Sequence, residues 1–158
     1  MLTEPVLIVC GSRTWKNEVQ LFRNMNEISY KHPVLAVWHG GAHGADSIAA
    51  QWAKARGYEV HVFHAYWERF GKSAGFMRTA EMIAAAPAGS TVVAFVVGPL
   101  EESRGTAFTV SQARKRGLRV VLIEEKDDAE YRVSQAGQGD GEQRPHPNAS
   151  PSPRPACE

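Results

Sequence analysis

Residues 34–57 read VLAVWHGGAHGADSIAAQWAKARG and hold one complete strand–turn–helix unit. The opening VLAVW is a continuous apolar run, which predicts a strand that is buried on both faces. The turn that follows, HGGAHGAD (39–46), supplies glycines where the backbone must bend sharply. Gly57 ends the helix after the turn, and one face of that helix carries Ile48, Ala49, Trp52 and Ala53.

The same unit recurs along the body of the chain. Further strands are predicted at 5–10, 58–63, 91–97 and 118–124, and further helices at about 17–31, 74–86 and 106–117. This alternation is typical of right-handed βαβ crossovers. The sequence therefore predicts an α/β fold, a Rossmann-like doubly wound sheet of five mainly parallel strands in the order 3-2-1-4-5, with helices on both faces. A ligand crevice is expected where the order reverses, between strands 1 and 4.

Composition divides the chain into two parts. Residues 1–124 carry 14 basic and 10 acidic side chains, which gives a net charge of +4. Residues 125–158 carry 4 basic and 7 acidic side chains, which gives a net charge of −3. A mildly basic body suits an anionic small molecule but is too weakly charged to predict a duplex-binding surface. From about Lys126 onward the chain is polar and rich in Pro, Gly and Ser. We therefore predict one folded domain at 1–124 and a disordered tail at 125–158.

Cellular location can be predicted from what the sequence contains. Its apolar runs all fall well short of the roughly 20 residues that span a bilayer, and the N-terminus has no basic leader. The two cysteines, Cys10 and Cys157, are typical of a reduced thiol context. We therefore expect a cytoplasmic protein that has no membrane partner.

Three turns at the ends of predicted strands 1, 2 and 4 carry glycines together with hydroxyl or guanidinium groups. Because such turns lie side by side, their N–H groups, helix dipoles and Arg side chains are expected to form a nucleotide-phosphate site. In HGGAHGAD the N–H groups are expected to face the ligand; the alternative is that its glycines serve the turn alone. Asp46 is interpreted as a first-turn acid of the helix or as an acceptor for a ribose hydroxyl. The predicted ligand-binding residues are Gly11, Ser12, Arg13, His39, Gly40, Gly41, Gly44, Asp46, Ser103, Gly105 and Thr106.

Residues 64–82, HAYWERFGKSAGFMRTAEM, add aromatic and cationic side chains beside these turns. Trp67 is predicted to stack on a base and Arg78 to clamp a phosphate, with Gly75 at the start of the helix between them. The alternative is that Trp67 and Phe70 only cover the sheet edge. Arg13 and Arg78 are both expected at the crevice rim, where they add charge to binding and little to the fold.

The histidines near Asp46 raise the question of a metal site. His39 and His43 are four residues apart, but this spacing brings two imidazoles together only on a helix, and here it spans a glycine turn. We therefore predict no metal site and no cofactor.

Taken in order, four motifs resemble the YspA-like branch of the SLOG superfamily: GSR-x-W, HGGA-x-GAD, W-x-R-x-G-K-x-AG-x-x-R-x-x-x-M and S-x-GT. The resemblance runs from about Val6 to Ile123. That superfamily of Rossmann-like domains includes the LOG phosphoribohydrolases and the DNA-processing protein DprA. The resemblance implies binding of a nucleotide or nucleotide-derived ligand, such as an ADP-ribose or NAD derivative, at the strand ends.

Two alternatives follow from the same resemblance. The LOG hydrolases carry PGG-x-GT and a catalytic glutamate two positions after the threonine, where this chain has Phe108. This departure disfavours N-glycosidic hydrolysis, which needs a nearby carboxylate. It leaves the question of catalysis open, with Arg78 and Glu81 as candidate catalytic residues and Glu102 as a further possible acid. DprA-like binding of single-stranded nucleic acid is disfavoured because a Lys/Arg stripe is missing. Apolar helices of such domains often pair, so a homodimer is expected.

Overall fold

The computed structural model describes residues 4–127, and these form a Rossmann-like α/β domain. Its five strands are all parallel and lie in one sheet in the order β3-β2-β1-β4-β5, as the sequence predicts. The strands are β1 (Leu7–Gly11), β2 (Ala36–His39), β3 (Glu59–Val62), β4 (Thr91–Val96) and β5 (Arg119–Glu124). The order reverses between β1 and β4, which places the edge of a crevice at their carboxyl ends.

Five α-helices connect and cover the strands: α1 (Glu18–Lys31), α2 (Ala45–Ala55), α3 (Trp67–Phe70), α4 (Ala74–Ala85) and α5 (Arg104–Lys115). Short 3₁₀ turns occupy Gly71–Ser73 and Leu100–Glu102. The sequence did not predict α3 or the 3₁₀ turns, because segments this short show no apolar periodicity and bury no residue. None of the helices within residues 4–127 is long and apolar enough to cross a membrane.

The sheet separates two apolar layers. Along β1, Leu7 and Val9 face the layer under α1 and α2, whereas Ile8 and Cys10 face the layer under α4 and α5. Every residue of β2 and β4 is buried, whereas the edge strands β3 and β5 are partly exposed. Burial on both faces explains why the central strands read as continuous apolar runs.

Two glycines allow close backbone packing around the turn after β1, one against β4 and one against the turn after β2. A side chain at Gly11 would collide with the carbonyl oxygen of Phe95 on β4. Gly44 has φ +76°, and a side chain there would collide with the carbonyl oxygens of Ser12 and Arg13. Close approach of backbones, together with positive φ at Gly44, requires glycine at these positions.

The chain after β5 is fastened to the start of α1. The Glu125 carboxylate accepts hydrogen bonds from the N–H groups of Lys16 (2.5 Å) and Asn17 (2.7 Å). The Asn17 side chain donates to the Lys126 carbonyl (2.8 Å), and the Lys126 N–H donates to the Gln20 side chain (2.9 Å). These bonds attach Glu125 and Lys126, the first two residues after the predicted domain, to the segment that begins α1. The remainder of the predicted tail, 128–158, lies outside the described residues.

Replacing Glu125 by Ala is expected to lower the free energy of unfolding by about 1–3 kcal/mol, because two N–H groups lose a charged acceptor. Glu124→Ala is the matched control: Glu124 is exposed, and its contact with Gln20 uses only its backbone carbonyl. Urea unfolding followed by circular dichroism measures both. Equal stability of the two variants would contradict the role of Glu125.

Candidate functional site

A crevice of about 310 Å³ opens at the carboxyl ends of the central strands, on the side of α4 and α5. It is lined in part by residues that the sequence singled out: Gly11, Arg13, Gly40, Asp46, Trp67, Gly75, Arg78, Ser103, Gly105 and Thr106. The other predicted ligand residues, Ser12, His39, Gly41 and Gly44, lie outside this lining. The structure thus brings residues from the turns after β1, β2 and β4 and from the 64–82 segment to one place.

Four N–H groups of the HGGAHGAD turn have acceptors within the protein, and the expectation that the turn's N–H groups face a ligand stays a prediction. Asp46 lies in the first turn of α2, and its Oδ2 accepts from the N–H groups of Gly40 (3.1 Å) and Ala42 (3.2 Å). The Gly41 N–H donates to His39 Nδ1 (2.9 Å). The Ala45 N–H donates to the Ser12 carbonyl (3.2 Å). The carboxylate thus folds back onto two of the turn's donors, whereas the N–H groups of His43 and Gly44 have no acceptor within residues 4–127.

Ser12 and His39 have structural partners. Ser12 is buried, and its Oγ accepts from the Val97 N–H (2.9 Å), which joins the turn after β1 to the end of β4. Burial lowers the pKa of His39, and the nearby charges of Arg78 and His64 lower it further. The imidazole therefore stays neutral near pH 7 and holds the Gly41 N–H, so both side chains support the turns from behind the crevice.

In the turn after β4, consecutive N–H groups are free within the described residues. Ser103 Oγ bonds to Thr106 Oγ1 (3.0 Å) and does not cap the helix. The backbone N–H groups of Arg104, Gly105 and Thr106 have no acceptor within residues 4–127. A Cβ at Gly105 would meet nothing within 4 Å. The N-terminus of α5 therefore presents unpaired donors, the positive end of a helix dipole and open space to the crevice.

Asp46 is the one carboxylate among the described residues that line the crevice, which also carries Arg13, Lys72 and Arg78. Only 5% of Asp46 is exposed. Burial raises its pKa to about 6, and the N–H groups of Ala42 and Gly40 and the charges of Arg78 and Arg13 oppose this rise. With three cations and one acid, the crevice favours an anionic ligand.

Arg78 is built into the fold, which corrects the expectation that it is only a rim charge. Its Nη1 donates to the Gly40 carbonyl (2.6 Å), so it ties α4 to the turn after β2. A side chain at Gly40 would collide with this guanidinium, which explains the glycine there. Arg78 Nε is buried and has no acceptor within residues 4–127. Arg13, in contrast, is exposed as expected.

The 64–82 segment forms one wall of the crevice. Trp67 is 52% exposed, lines the crevice, and belongs to neither apolar layer. Its indole would lie 3.2 Å from a Cβ at Gly75, so glycine lets the ring approach α4. The half-exposed indole of Trp67 therefore lies beside α4 at the crevice.

Several wall residues were missed by the sequence analysis. Lys72 belongs to the cationic 64–82 segment but was not assigned to the site, and Thr79, Met82 and Thr109 looked like ordinary helix residues. A usable signal existed, since Thr79 follows Gly75 by four positions and Thr109 follows Thr106 by three, which places each pair on one helical face.

The acids considered for catalysis lie elsewhere. Glu81 and Glu102 are exposed, and neither lines the crevice. Phe108, at the position of the hydrolases' glutamate, packs edge-on against the crevice residue Phe76, with ring centroids 4.9 Å apart. An apolar contact thus occupies the place where the resemblance would put a carboxylate.

Comparison with known proteins gives two matches. A family model described as YAcAr, the YspA, cpYpsA-related SLOG family, matches residues 5–70. The Gene 61 protein of Mycobacterium phage D29 is 35% identical over 126 residues, which cover 76% of this chain and 97% of that protein. No solved structure matches the chain.

The raised pKa of Asp46 predicts how stability varies with pH. Between pH 3.8, the ordinary pKa of an aspartate side chain, and pH 6, the folded state keeps a proton on Asp46 that the unfolded state has lost, because burial raises the pKa of Asp46 to about 6. Stability should therefore rise as the pH falls through 6, by up to about 3 kcal/mol. Asp46→Asn, whose amide oxygen can still accept from Gly40 and Ala42, should show a flatter profile and equal or higher stability at pH 7.5. Urea unfolding from pH 4.5 to 7.5 tests this, and parallel profiles would contradict it.

Replacing Arg78 should lower the free energy of unfolding more than replacing Arg13 does. Arg78→Ala leaves the Gly40 carbonyl without its partner and empties half-buried space, so it should cost about 1–3 kcal/mol of unfolding free energy. Arg13→Ala removes an exposed side chain and should change stability by less than about 0.5 kcal/mol. Denaturant unfolding of both variants at one pH measures this difference. Equal losses of unfolding free energy would show that the hydrogen bond of Arg78 does not stabilise the fold.

Proposed function

Because the chain belongs to the YspA, cpYpsA-related SLOG family, we propose that its crevice binds a nucleotide or nucleotide-derived small molecule, with a phosphate at the N-terminus of α5. The observation that carries this proposal is the set of N–H groups at Arg104, Gly105 and Thr106 that have no acceptor within residues 4–127, of which Gly105 and Thr106 line the crevice. Unpaired helix-terminal N–H groups and the helix dipole favour an anion.

The charges around the crevice support an anionic ligand. Lys72 and Arg13 are exposed at its wall and can approach a phosphate without leaving water completely. Arg78 uses one nitrogen for the Gly40 carbonyl and retains Nε without an acceptor within residues 4–127. Charge-assisted hydrogen bonds of this kind contribute roughly 1.5–3 kcal/mol each.

The remaining space suits the nucleoside part. Trp67 offers an exposed indole face at the crevice wall, on which a base can stack. A volume of about 310 Å³ is at the small end of ligand pockets, which range over roughly 300–1,000 Å³. We therefore propose a mononucleotide, or the mononucleotide half of an ADP-ribose-like molecule, as the bound unit.

N-glycosidic hydrolysis is not part of this proposal. The crevice-lining carboxylate of the described residues, Asp46, holds the turn after β2 through two backbone N–H groups on its Oδ2. Phe108 fills the position at which the hydrolase motif carries glutamate. Binding without a chemical step is therefore the function that the geometry supports best.

The proposal is tested by calorimetric titration of the protein with AMP and with ADP-ribose, before and after Gly105→Ala. A methyl group at Gly105 enters open space, so the fold should be at least as stable, since Ala favours a helix more than Gly does. The same methyl group occupies the proposed phosphate position, and it should weaken binding at least about tenfold by breaking a charge-assisted hydrogen bond.

Ser111→Ala is the matched control, because Ser111 lies on the exposed side of the same helix and outside the crevice lining. It should bind as the parent protein does. A parent protein that binds neither nucleotide at millimolar concentration would overturn the proposal. Unchanged nucleotide binding by Gly105→Ala would show that the phosphate does not lie at the N-terminus of α5.

A further inference from the structure

Asp46 has one carboxylate oxygen that the fold does not use. Both of its turn-holding hydrogen bonds, from Gly40 and Ala42, end on Oδ2. Within residues 4–127 no donor bonds to Oδ1. This oxygen is also not fully buried. Since Asp46 lines the crevice, Oδ1 is accessible from it.

The neighbouring cations do not satisfy this oxygen. Arg13 and Arg78 are close enough to influence the charge of Asp46, yet neither forms an ion pair with it within residues 4–127. Arg78 instead donates to the Gly40 carbonyl. An ionised carboxylate only accepts hydrogen bonds, so whatever fills the space beside Oδ1 must be a donor.

A phosphate cannot be that group, because it would meet the negative charge of Asp46. The part of an anionic ligand that lies against Asp46 must therefore be uncharged and carry donors. Among the components of a nucleotide, the ribose hydroxyls meet this requirement, and one carboxylate oxygen has lone pairs for two vicinal hydroxyls.

The sheet sets the distance between the two ends of such a ligand. Asp46 follows β2 and the free N–H groups of α5 follow β4, with β1 between them. Two strand spacings amount to roughly 10 Å. A ribose 5-phosphate unit, which carries hydroxyls at one end and phosphate at the other, can bridge this span.

From these contacts we infer that Asp46 is the acceptor for the ribose diol, and that the crevice selects ribonucleotides against 2′-deoxyribonucleotides. The inference rests on the proposed function, since it assigns the second end of a ligand whose phosphate lies at α5. It identifies the ligand class as a molecule with a free vicinal diol.

The test compares AMP with 2′-deoxy-AMP by calorimetric titration at pH 7.5, on the parent protein and on Asp46→Asn. The parent protein should prefer AMP by about tenfold or more, the effect of losing one charge-assisted hydrogen bond. In Asp46→Asn the amide oxygen can keep the turn while an NH₂ group replaces the accepting oxygen. The preference should then fall to about twofold or less, mainly through weaker binding of AMP.

The possible failures are distinguishable. Binding of neither nucleotide by the parent protein would overturn the proposed function itself. Equal binding of both would leave the proposed function standing and overturn the diol assignment. A preference that persists in Asp46→Asn would place diol recognition elsewhere. If Asp46→Asn unfolds, as judged by circular dichroism, the parent protein still tests whether a diol is required. It should then bind 3′-deoxy-AMP, like 2′-deoxy-AMP, more weakly than AMP.

Discussion

The hydrogen bonds from two backbone N–H groups to the Asp46 carboxylate hold the site together. They give the turn after β2 its shape, and that shape places the Gly40 carbonyl where Arg78 of α4 can reach it. The same turn lies against the backbone of Ser12 and Arg13 through Gly44. Three separate segments are thus positioned by one buried acid, and the crevice between them exists because each is fixed relative to the others.

Such an arrangement is costly, and the cost indicates a role beyond architecture. A buried carboxylate with a raised pKa and a buried guanidinium nitrogen without an acceptor in the described chain both reduce stability. A neutral amide at position 46 could hold the same turn. Groups that weaken a fold and face a crevice are typical of binding sites, where ligand contacts offset the loss.

The sequence predicted the fold well because continuous apolar strands and glycine-terminated helices are local signals. It also predicted which turns meet, since parallel strands end at one edge of the sheet. It could not predict where the N–H groups of HGGAHGAD point, because that depends on Asp46 folding back over six residues. The wall formed by Lys72, Thr79 and Met82 was hidden for a related reason: their side chains become part of a site only through the packing of α4 beside the crevice.

The fastening of Glu125 and Lys126 to the start of α1 has a consequence for how this domain can be attached to anything else. All five strands run the same way, so β5 ends at the edge of the sheet where the crevice lies, and the hydrogen bonds to Lys16, Asn17 and Gln20 hold the departing chain there. The exit point is therefore a fixed anchor on the rim of the crevice. A fluorophore or a fused domain joined after Asp127 would start from the crevice side of the molecule, which makes this junction a natural position for a reporter of crevice occupancy.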